Sequence, residues 1–265
     1  MMAGWNLGGD RVALVTGAGS GIGDSVARLL ASAGARVGVL DQDGERADAT
    51  VAGICAGGGE AVALVADVSD PDQMEAAVAR LGGRWGRIDI VASNAGINGV
   101  WAPLERIEPD EWSRTLDVNL KGTFLTFKYT IPWLRRQGGA AVITASVHGT
   151  RIFSAAGSTA YACAKAAQQV FARKMAVELA GDRIRVNVIC PGYVTTRIGE
   201  TTVRRDLDRI RLPVEFHGRP IPLTGGEPLS PDDVARLVLF LVSDDASAIT
   251  GTEVWIDGAT SLVTG

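Results

Sequence analysis

The sequence predicts an α/β fold, in which a doubly wound, seven-stranded parallel sheet is flanked by helices within a single domain. Short runs rich in valine and isoleucine alternate with longer segments whose apolar residues recur at helical spacing. The short runs are apolar almost throughout, which is typical of strands that are buried on both faces of a sheet. Strands separated by helices form βαβ units, and such units build parallel sheets.

The predicted elements follow one another in a single alternation. The strands are assigned to residues 11–16, 36–40, 61–66, 88–92, 141–144, 185–189 and 253–256. The helices are assigned to residues 21–34, 44–56, 71–85, 111–136, 159–180 and 231–242. Because no linker of biased composition interrupts the alternation, residues 1–265 are expected to form one domain.

Residues 193–229 break this rhythm. The segment carries several arginines and aspartates and then Pro213, Pro220, Pro222 and Pro228. A long irregular stretch inside a compact domain is usually a binding loop or a lid, or else it is disordered. Since this one follows the carboxyl end of a predicted strand, where doubly wound sheets bind ligands, we predict a substrate loop or lid.

The composition argues against several classes of function. The 265 residues carry a formal net charge of −4, which gives no basic field for nucleic acid. The cysteines and the two histidines lack metal-ligand spacing, so no metal site is expected. We interpret Cys55, Cys163 and Cys190 as small core residues in a reducing compartment. No apolar run is long enough to span a membrane and the first ten residues do not resemble a signal peptide, so a cytoplasmic enzyme is expected.

A glycine-rich turn follows the first predicted strand and opens the first helix. Its sequence is Thr16-Gly-Ala-Gly-Ser-Gly-Ile-Gly23. Glycines let the backbone turn sharply and approach a pyrophosphate, which then binds the N–H groups of the helix N-terminus. No Lys-Ser or Lys-Thr follows the turn, so a nucleoside triphosphate loop is excluded. The turn therefore predicts a dinucleotide site.

Asp41 ends the second predicted strand, eighteen residues after Gly23. A carboxylate at this position accepts hydrogen bonds from ribose hydroxyls and repels the 2′-phosphate of NADP. Ala18 and Gln42 supply no cation to offset this repulsion, and Arg46 is expected on the following helix. The sequence therefore favours NAD over NADP.

Tyr161 and Lys165 are four residues apart in a predicted helix and so share one of its faces. A free tyrosine, with a pKa of about 10, is a poor base at neutral pH. A nearby cation favours the phenolate, so we expect Lys165 to lower the pKa of Tyr161 and to let it exchange protons with a substrate. Without other motifs, such a pair is more typical of a solvated helix surface.

Together, the motifs resemble the short-chain dehydrogenase/reductase family in its compact, single-domain form. They occur in that family's order: TGxxxGIG, Asp67-Val68, Ser93-Asn94-Ala95-Gly96, Asn119, Ser146, Tyr161-xxx-Lys165, Asn187 and Pro191-Gly192-xxx-Thr196. The resemblance runs from about residue 11 to about residue 258. It implies a Rossmann-like fold and hydride transfer between a nicotinamide cofactor and an alcohol or ketone.

The resemblance also implies catalytic roles. Tyr161 would be the acid/base, while Lys165 would lower its pKa and bind the nicotinamide ribose. Ser146 would hold the substrate oxygen, and Asn119 would anchor a water beside Lys165. Singly, Ser146 is equally explained as the end of a strand and Asn119 as a polar contact with neighbouring backbone.

The same resemblance implies a set of cofactor-binding residues. Besides Tyr161 and Lys165, they are Gly17, Gly19, Ser20, Gly21, Ile22, Gly23, Asp41, Asp67, Val68, Asn94, Ala95, Gly96, Pro191, Gly192, Val194 and Thr196. For Asp67, a helix cap is the alternative. The gap between Ser146 and Tyr161 is slightly longer than is usual in the family, and we assign the extra residues to a substrate-bordering loop at 151–158.

The leading hypothesis is an NAD-dependent oxidoreductase that interconverts a secondary alcohol and a ketone. An NADPH-dependent 3-oxoacyl thioester reductase is the alternative, which Asp41 disfavours. A non-catalytic NAD-binding sensor is disfavoured because Tyr161 and Lys165 are both present, and a sugar-nucleotide epimerase fits the glycine spacing poorly. The resemblance further implies a homotetramer, whose subunits pair residues 111–136 and 159–180 through Ala160, Ala164, Ala167 and Ala172.

Overall fold

The computed structural model describes residues 7–213 and 221–264. His217 and the rest of residues 214–220 of the predicted lid lie outside the described residues, as do residues 1–6. Within the described ranges, no helix combines the length and the apolar composition that crossing a bilayer requires.

The predicted seven-stranded parallel sheet is confirmed. Its strands are β1 (Val12–Thr16), β2 (Arg36–Asp41), β3 (Ala61–Val65), β4 (Ile90–Ser93), β6 (Gly139–Thr144), β7 (Ile184–Pro191) and β9 (Glu253–Ile256). They are arranged in the order β3-β2-β1-β4-β6-β7-β9, and every neighbouring pair is parallel. The order reverses between β1 and β4, which is the position where doubly wound sheets open a crevice for ligands.

Burial explains which sequence runs became central strands. All five residues of β1 are buried, and so are all four of β4, because helices cover both faces of the sheet at its centre. The edge strands β3 and β9 are only partly buried. Predicted and observed strand ends differ by at most two residues, and β6 and β7 are longer than predicted because Gly139 and Pro191 continue the pairing.

Helices cover the two faces of the sheet in two layers. The helices are α1 (Gly21–Ser32), α2 (Gly44–Ala56), α3 (Pro71–Trp85), α4 (Pro109–Leu116), α5 (Gly122–Leu134), α6 (Thr159–Leu179), α7 (Pro231–Val242) and the short α8 (Thr260–Val263). One core cluster joins α1, α2 and α7 to the sheet through Leu30, Ile54 and Val238. A second core cluster on the opposite face contains Leu81 of α3 and Leu179 of α6.

The predicted helix at 111–136 is observed as helical backbone from Pro109 to Leu134, but it is not α-helical throughout. A π-helical turn, Asp117–Lys121, separates α4 from α5, and the N–H of Gly122 donates to the carbonyl of Asp117 five residues earlier. The apolar periodicity of a helix does not reveal one extra residue in a turn, because the pattern on either side remains helical. The π turn contains Asn119.

The predicted irregular segment after β7 contains local structure. Its residues Thr202–Arg204 form β8, which pairs in parallel with β5 (Gly99–Trp101) as a separate two-stranded ribbon. The Arg205 guanidinium donates to the Glu111 carboxylate at 3.0 and 2.7 Å, which fastens this segment to α4. The first half of the predicted lid is therefore tied to the body of the domain.

Two expectations about small residues are wrong. Cys55 and Cys163 are exposed and only Cys190 is buried, because the first two lie on outward-facing positions of α2 and α6. Three of the four alanines expected at a subunit interface, Ala160, Ala164 and Ala172, are at most 1% exposed within the chain itself. Their side chains face the chain's own core, so they are not available to a partner.

Candidate active site

A large cavity lies at the carboxyl ends of the central strands and has a volume of about 1250 Å³. Most of the predicted site residues line it: Gly17, Ser20, Gly21, Ile22, Asp41, Asp67, Val68, Asn94, Ala95, Gly96, Ser146, Tyr161, Lys165, Pro191, Gly192, Val194 and Thr196. Of the predicted site residues, all of which are described, Gly19, Gly23 and Asn119 do not line the cavity. The cavity is larger than those of typical single small-molecule sites, which leaves room for a dinucleotide together with a substrate.

The glycine-rich turn brings the N-terminus of α1 to the cavity. Gly21 has a φ of +55°, which L residues with side chains rarely adopt. A Cβ at Gly23 would lie 2.1 Å from the carbonyl oxygen of Gly17, so this glycine permits close packing beneath the turn rather than contact with a ligand. The Ser20 side chain does not cap α1. The N–H groups at the start of α1 therefore receive no hydrogen bond from the Ser20 side chain, which leaves them available to a pyrophosphate.

Asp41 at the end of β2 is held in place by two backbone groups. The N–H of Gly19 donates to its Oδ2 at 2.9 Å, and the N–H of Asp43 donates to its Oδ1 at 3.1 Å. Gly19 therefore orients the carboxylate that lines the cavity. Arg46 forms an ion pair with Asp43 at 3.0 Å, so the nearest cation is already partnered.

Asp67 does not cap a helix, which removes the alternative explanation for it. Asp70 caps α3, whereas Asp67 accepts hydrogen bonds from both the N–H and the hydroxyl of Ser69 and lies 3.2 Å from Arg114. Burial opposes ionisation of Asp67, but these hydrogen bonds and the Arg114 charge hold its pKa below the usual value. Arg114 also lines the cavity and was missed in the sequence, because its position in α4 carries no motif.

Thr16 is a second residue that the sequence analysis missed. Its hydroxyl oxygen accepts hydrogen bonds from the N–H groups of Asn94 and Ala95 at 3.0 and 3.1 Å. It thereby links the end of β1 to the segment after β4 across the crevice. Its position at the end of a predicted strand, just before Gly17, could have indicated that Thr16 belongs to the site.

Tyr161 and Lys165 are both buried on the inner face of α6, with 7% and 3% exposure. The Lys165 Nζ lies 5.6 Å from the centroid of the Tyr161 ring and donates to the carbonyl of Thr144 at 2.8 Å. The Ser146 hydroxyl hydrogen-bonds to the phenol of Tyr161. Three predicted catalytic residues therefore meet at the end of β6.

The expected lowering of the Tyr161 pKa by Lys165 is wrong for the chain without a cofactor. Burial raises the pKa of Tyr161 to about 12, against a smaller opposing effect of the Ser146 hydrogen bond. Burial also lowers the pKa of Lys165 to about 8. Both changes have the same cause, since removal from water disfavours the charged form of either group. The spacing of the two residues did not reveal how deeply they are buried.

Asn119 lies behind the cavity in the π turn. Its Nδ2 donates to the carbonyls of Ile97 and Thr115 at 2.9 and 2.8 Å, while its Oδ1 accepts no hydrogen bond from any described residue. A Cβ at Gly96 would lie 2.6 Å from this Oδ1 and 3.4 Å from Lys165 Nζ. The Asn119 amide thus makes polar contacts with neighbouring backbone, which was the alternative interpretation of this residue. Its oxygen lies on the side of Lys165.

The substrate end of the cavity is bordered by planar and apolar side chains. The His148 ring lies 6.2 Å from that of Tyr161 and 6.3 Å from that of Trp101. Ile152, within the loop that was predicted to border the substrate, also lines the cavity. The wall beside the Tyr161 phenol is therefore formed by two planar rings and an aliphatic side chain.

Comparisons with known proteins agree with this geometry. A family model described as enoyl-(acyl carrier protein) reductase matches residues 17–260. A cyclohexanol dehydrogenase from Acinetobacter sp. strain SE19 is 37% identical over 251 residues, covering 94% of this chain and 94% of the relative. The crystal structure of a 3-ketoacyl-ACP reductase from Sinorhizobium meliloti 1021 is 46% identical, with a TM-score of 0.90, and the match covers 95% of this chain and 99% of that one.

A third match is the structure of a 3-ketoacyl-(acyl-carrier-protein) reductase from Brucella melitensis complexed with NADH. It is 32% identical, has a TM-score of 0.84, and covers 97% of this chain and 100% of that one. The matches therefore span nearly the whole sequence, including the turn, the strand ends and the Tyr161–Lys165 pair. The chain belongs to the short-chain dehydrogenase/reductase family and is an NAD(P)-dependent oxidoreductase that interconverts alcohols and ketones.

Proposed function

We propose that the chain uses NAD to interconvert a secondary alcohol and a ketone, with Tyr161 as the acid/base. The observation that carries this proposal is the buried phenol of Tyr161, hydrogen-bonded to Ser146 and one helical turn from the buried Lys165 amine. Catalysis by a positioned proton donor requires such a group within hydrogen-bond reach of the reacting oxygen. We expect the reacting oxygen of the substrate to bind beside the Ser146 hydroxyl.

The three residues divide the proton chemistry. In ketone reduction, Ser146 donates a hydrogen bond to the substrate oxygen, which positions it, and Tyr161 transfers its proton to the oxygen. In alcohol oxidation, Tyr161 takes the proton back. The bound nicotinamide supplies or accepts the hydride. Lys165 stabilises the phenolate by its charge, and the rings of Trp101 and His148 lie beside the phenol and border the place of the reacting carbon.

NAD fits the adenosine end of the cavity better than NADP does. The Asp41 carboxylate, held by Gly19 and Asp43, is placed to accept hydrogen bonds from two ribose hydroxyls. A 2′-phosphate would face this carboxylate and would compete with Asp43 for Arg46. The same argument disfavours the alternative, an NADPH-dependent 3-oxoacyl thioester reductase, although two of the structural relatives are named as 3-ketoacyl carrier-protein reductases.

The predicted loop at 193–229 is proposed to cover the substrate within this one domain. Tyr193, Val194 and Arg204 from its described part line the cavity. The β5–β8 ribbon pairs this segment with residues Gly99–Trp101 of the body of the domain. A cyclic or branched apolar alcohol is the substrate class that this wall favours.

We also propose a homotetramer in the cytoplasm, with a corrected interface. Val170 and Val177 on the outer face of α6 are 60% and 78% exposed, and Phe124 on α5 is 48% exposed. Apolar side chains exposed on two neighbouring helices are typical of a surface that pairs with another chain. These three residues therefore replace the buried alanines as the proposed contacts.

Tyr161→Phe removes the proton donor and leaves the ring in place. We expect kcat to fall by about 10²- to 10⁴-fold, since this is the usual contribution of general acid–base catalysis. The dissociation constant of NADH, measured by fluorescence titration, should remain within about twofold. Tyr129→Phe, which changes a tyrosine outside the cavity, is the matched control. Retention of activity in Tyr161→Phe would contradict the assignment.

The two directions should depend on pH with opposite signs. Reduction requires the protonated phenol, so its rate falls as pH rises through the pKa of Tyr161, whereas oxidation requires the phenolate and its rate rises with pH. Burial raises that pKa to about 12 in the chain without a cofactor, so phenolate is scarce at neutral pH. Initial rates from about pH 6 to about pH 10 are measured below this pKa, so the oxidation rate should rise with pH across the range while the reduction rate stays nearly level and declines only at higher pH. An oxidation rate that is flat or falling with pH would be inconsistent with Tyr161 as the base.

Asp41→Ala removes the proposed ribose ligand. A hydrogen bond to a charged group contributes about 1.5–3 kcal/mol, so we expect the KM for NAD to rise about tenfold or more. Use of NADP should improve because the repulsion disappears. The ratio of kcat/KM for NADP to that for NAD is the measurement, with Asp72→Ala on the outer surface as the control. An unchanged ratio would refute the role of Asp41.

Size-exclusion chromatography with light scattering tests the proposed assembly. The wild-type protein should have the mass of four chains. Val177→Lys places a charge on the proposed interface and should yield smaller species, whereas Val65→Lys, at another exposed valine on β3, should not. A monomeric wild-type protein, or a Val177→Lys tetramer, would contradict the interface.

A further inference from the structure

A network of hydrogen-bonded, buried polar side chains surrounds the π turn between α4 and α5, although the side-chain oxygens of Asn119 and Gln168 accept no hydrogen bond from a described residue. Ser93 at the end of β4, Asn119 in the turn, Thr123 on α5 and Gln168 on α6 are at most 3% exposed. Buried polar groups are expensive unless hydrogen-bonded, so a cluster of four must be held by specific partners. The network joins the sheet to two helices directly behind the cavity.

Gln168 makes the central contacts of this network. Its Nε2 donates to the carbonyl of Asn119 and to the hydroxyl oxygen of Thr123, both at 2.8 Å. Thr123 in turn donates to the same Asn119 carbonyl at 2.8 Å, and Ser93 donates to Thr123 at 3.3 Å. The Asn119 carbonyl thus receives two side-chain donors, one from its own helix and one from α6.

Such donors are what a π turn requires. Hydrogen bonds in the turn run over five residues instead of four, so the regular ladder is interrupted and side chains complete it. The Asn119 Nδ2 serves the Thr115 carbonyl one turn earlier at 2.8 Å. Gln168, which lies on α6, donates a hydrogen bond to the carbonyl of Asn119 itself. The conformation of the turn therefore depends on α6.

The same helix face carries the catalytic lysine. Gln168 follows Lys165 by three residues, and residues at this spacing are neighbours on a helix surface. Gly96 lies between the two polar groups: a Cβ there would be 2.6 Å from Asn119 Oδ1 and 3.4 Å from Lys165 Nζ. The Asn119 oxygen and the Lys165 amine thus lie on the same side of Gly96, and the Gln168 hydrogen bonds connect the π turn to the helix that carries Lys165.

We propose that Gln168 is a positioning residue for the proton chemistry, which rests on the proposed function. It contacts neither substrate nor cofactor and instead clamps the π turn to α6. The clamp holds Asn119 Oδ1 near Lys165, where its negative end stabilises the ammonium form. A charged Lys165 stabilises the Tyr161 phenolate. Loss of the clamp therefore makes the phenolate less stable, although every catalytic residue remains.

Gln168→Met tests this clamp, since methionine has a similar length and no donor. We expect the apparent pKa in the kcat/KM profile for alcohol oxidation to rise by about one unit, so that kcat at neutral pH falls about tenfold. The KM values for alcohol and NAD should stay within about twofold. Thr130→Val is the matched control, because it removes a buried hydrogen bond of α5 remote from the π turn.

A second pair of variants approaches the clamp from the other side. Thr123→Val removes one donor to the Asn119 carbonyl and the oxygen that Gln168 contacts, whereas Thr123→Ser keeps the hydroxyl. Thr123→Val should shift the pH profile in the same direction as Gln168→Met, and Thr123→Ser should restore it. If Gln168→Met does not fold, this pair decides the question. An unshifted profile in Thr123→Val, or in folded Gln168→Met, would overturn the proposal.

Hydrogen–deuterium exchange separates this proposal from the proposed function. In the chain without ligand, Gln168→Met should speed exchange of peptides covering residues 115–123, and Thr130→Val should not. Unchanged exchange there would overturn the clamp even if the enzyme is active. If instead the wild-type protein does not reduce NAD with any alcohol, the proposed function is refuted. Faster exchange in Gln168→Met would then show that the clamp is only a structural contact, which also overturns its role in catalysis.

Discussion

The hydrogen bond from Lys165 Nζ to the carbonyl of Thr144, at 2.8 Å, is the interaction on which the rest of the site depends. Thr144 is the last residue of β6, and Ser146 follows it by two residues. Tyr161 precedes Lys165 by one turn of α6. This bond therefore fixes the helix against the strand end and brings the phenol to the Ser146 hydroxyl. A displacement of α6 by even one residue would separate all three groups.

Burial gives the site its electrostatic character. Burial raises the pKa of Tyr161 to about 12 and lowers that of Lys165 to about 8. It therefore favours the neutral phenol and makes the ammonium form of Lys165 less stable than it is in water. The phenol is thereby ready to donate a proton. Stabilising the phenolate for the reverse reaction requires charge and dipoles around Lys165, which is why the Asn119 amide and its support by Gln168 matter. A π turn at this position is consistent with such a role, because single π turns within α-helices occur frequently at functional sites.

Much of the fold and of the lining of the cavity was predictable from the sequence because buried strands, the glycine turn and the strand ends are local patterns. The predictions that were wrong concern features that depend on the three-dimensional packing of distant segments. The π turn at Asp117–Lys121 hides within a helical period, and the direction of the Tyr161 pKa depends on burial that spacing does not encode. The alanines of α6, such as Ala164, were assigned to the wrong face for the same reason. Gln168 carries no motif at all, and its role is visible only when α6 lies against the π turn.

We propose above all that a hydride moves from the carbinol carbon of a secondary alcohol to NAD in this cavity. Carbinol-deuterated secondary alcohols, cyclohexanol among them, can be incubated with the enzyme and NAD, and the reduced cofactor analysed by mass spectrometry. The account predicts that NADH forms with at least one alcohol, carries one deuterium, and forms more slowly from the deuterated than from the ordinary alcohol. Reduced cofactor without deuterium, or no reduction of NAD by any secondary alcohol, would contradict it.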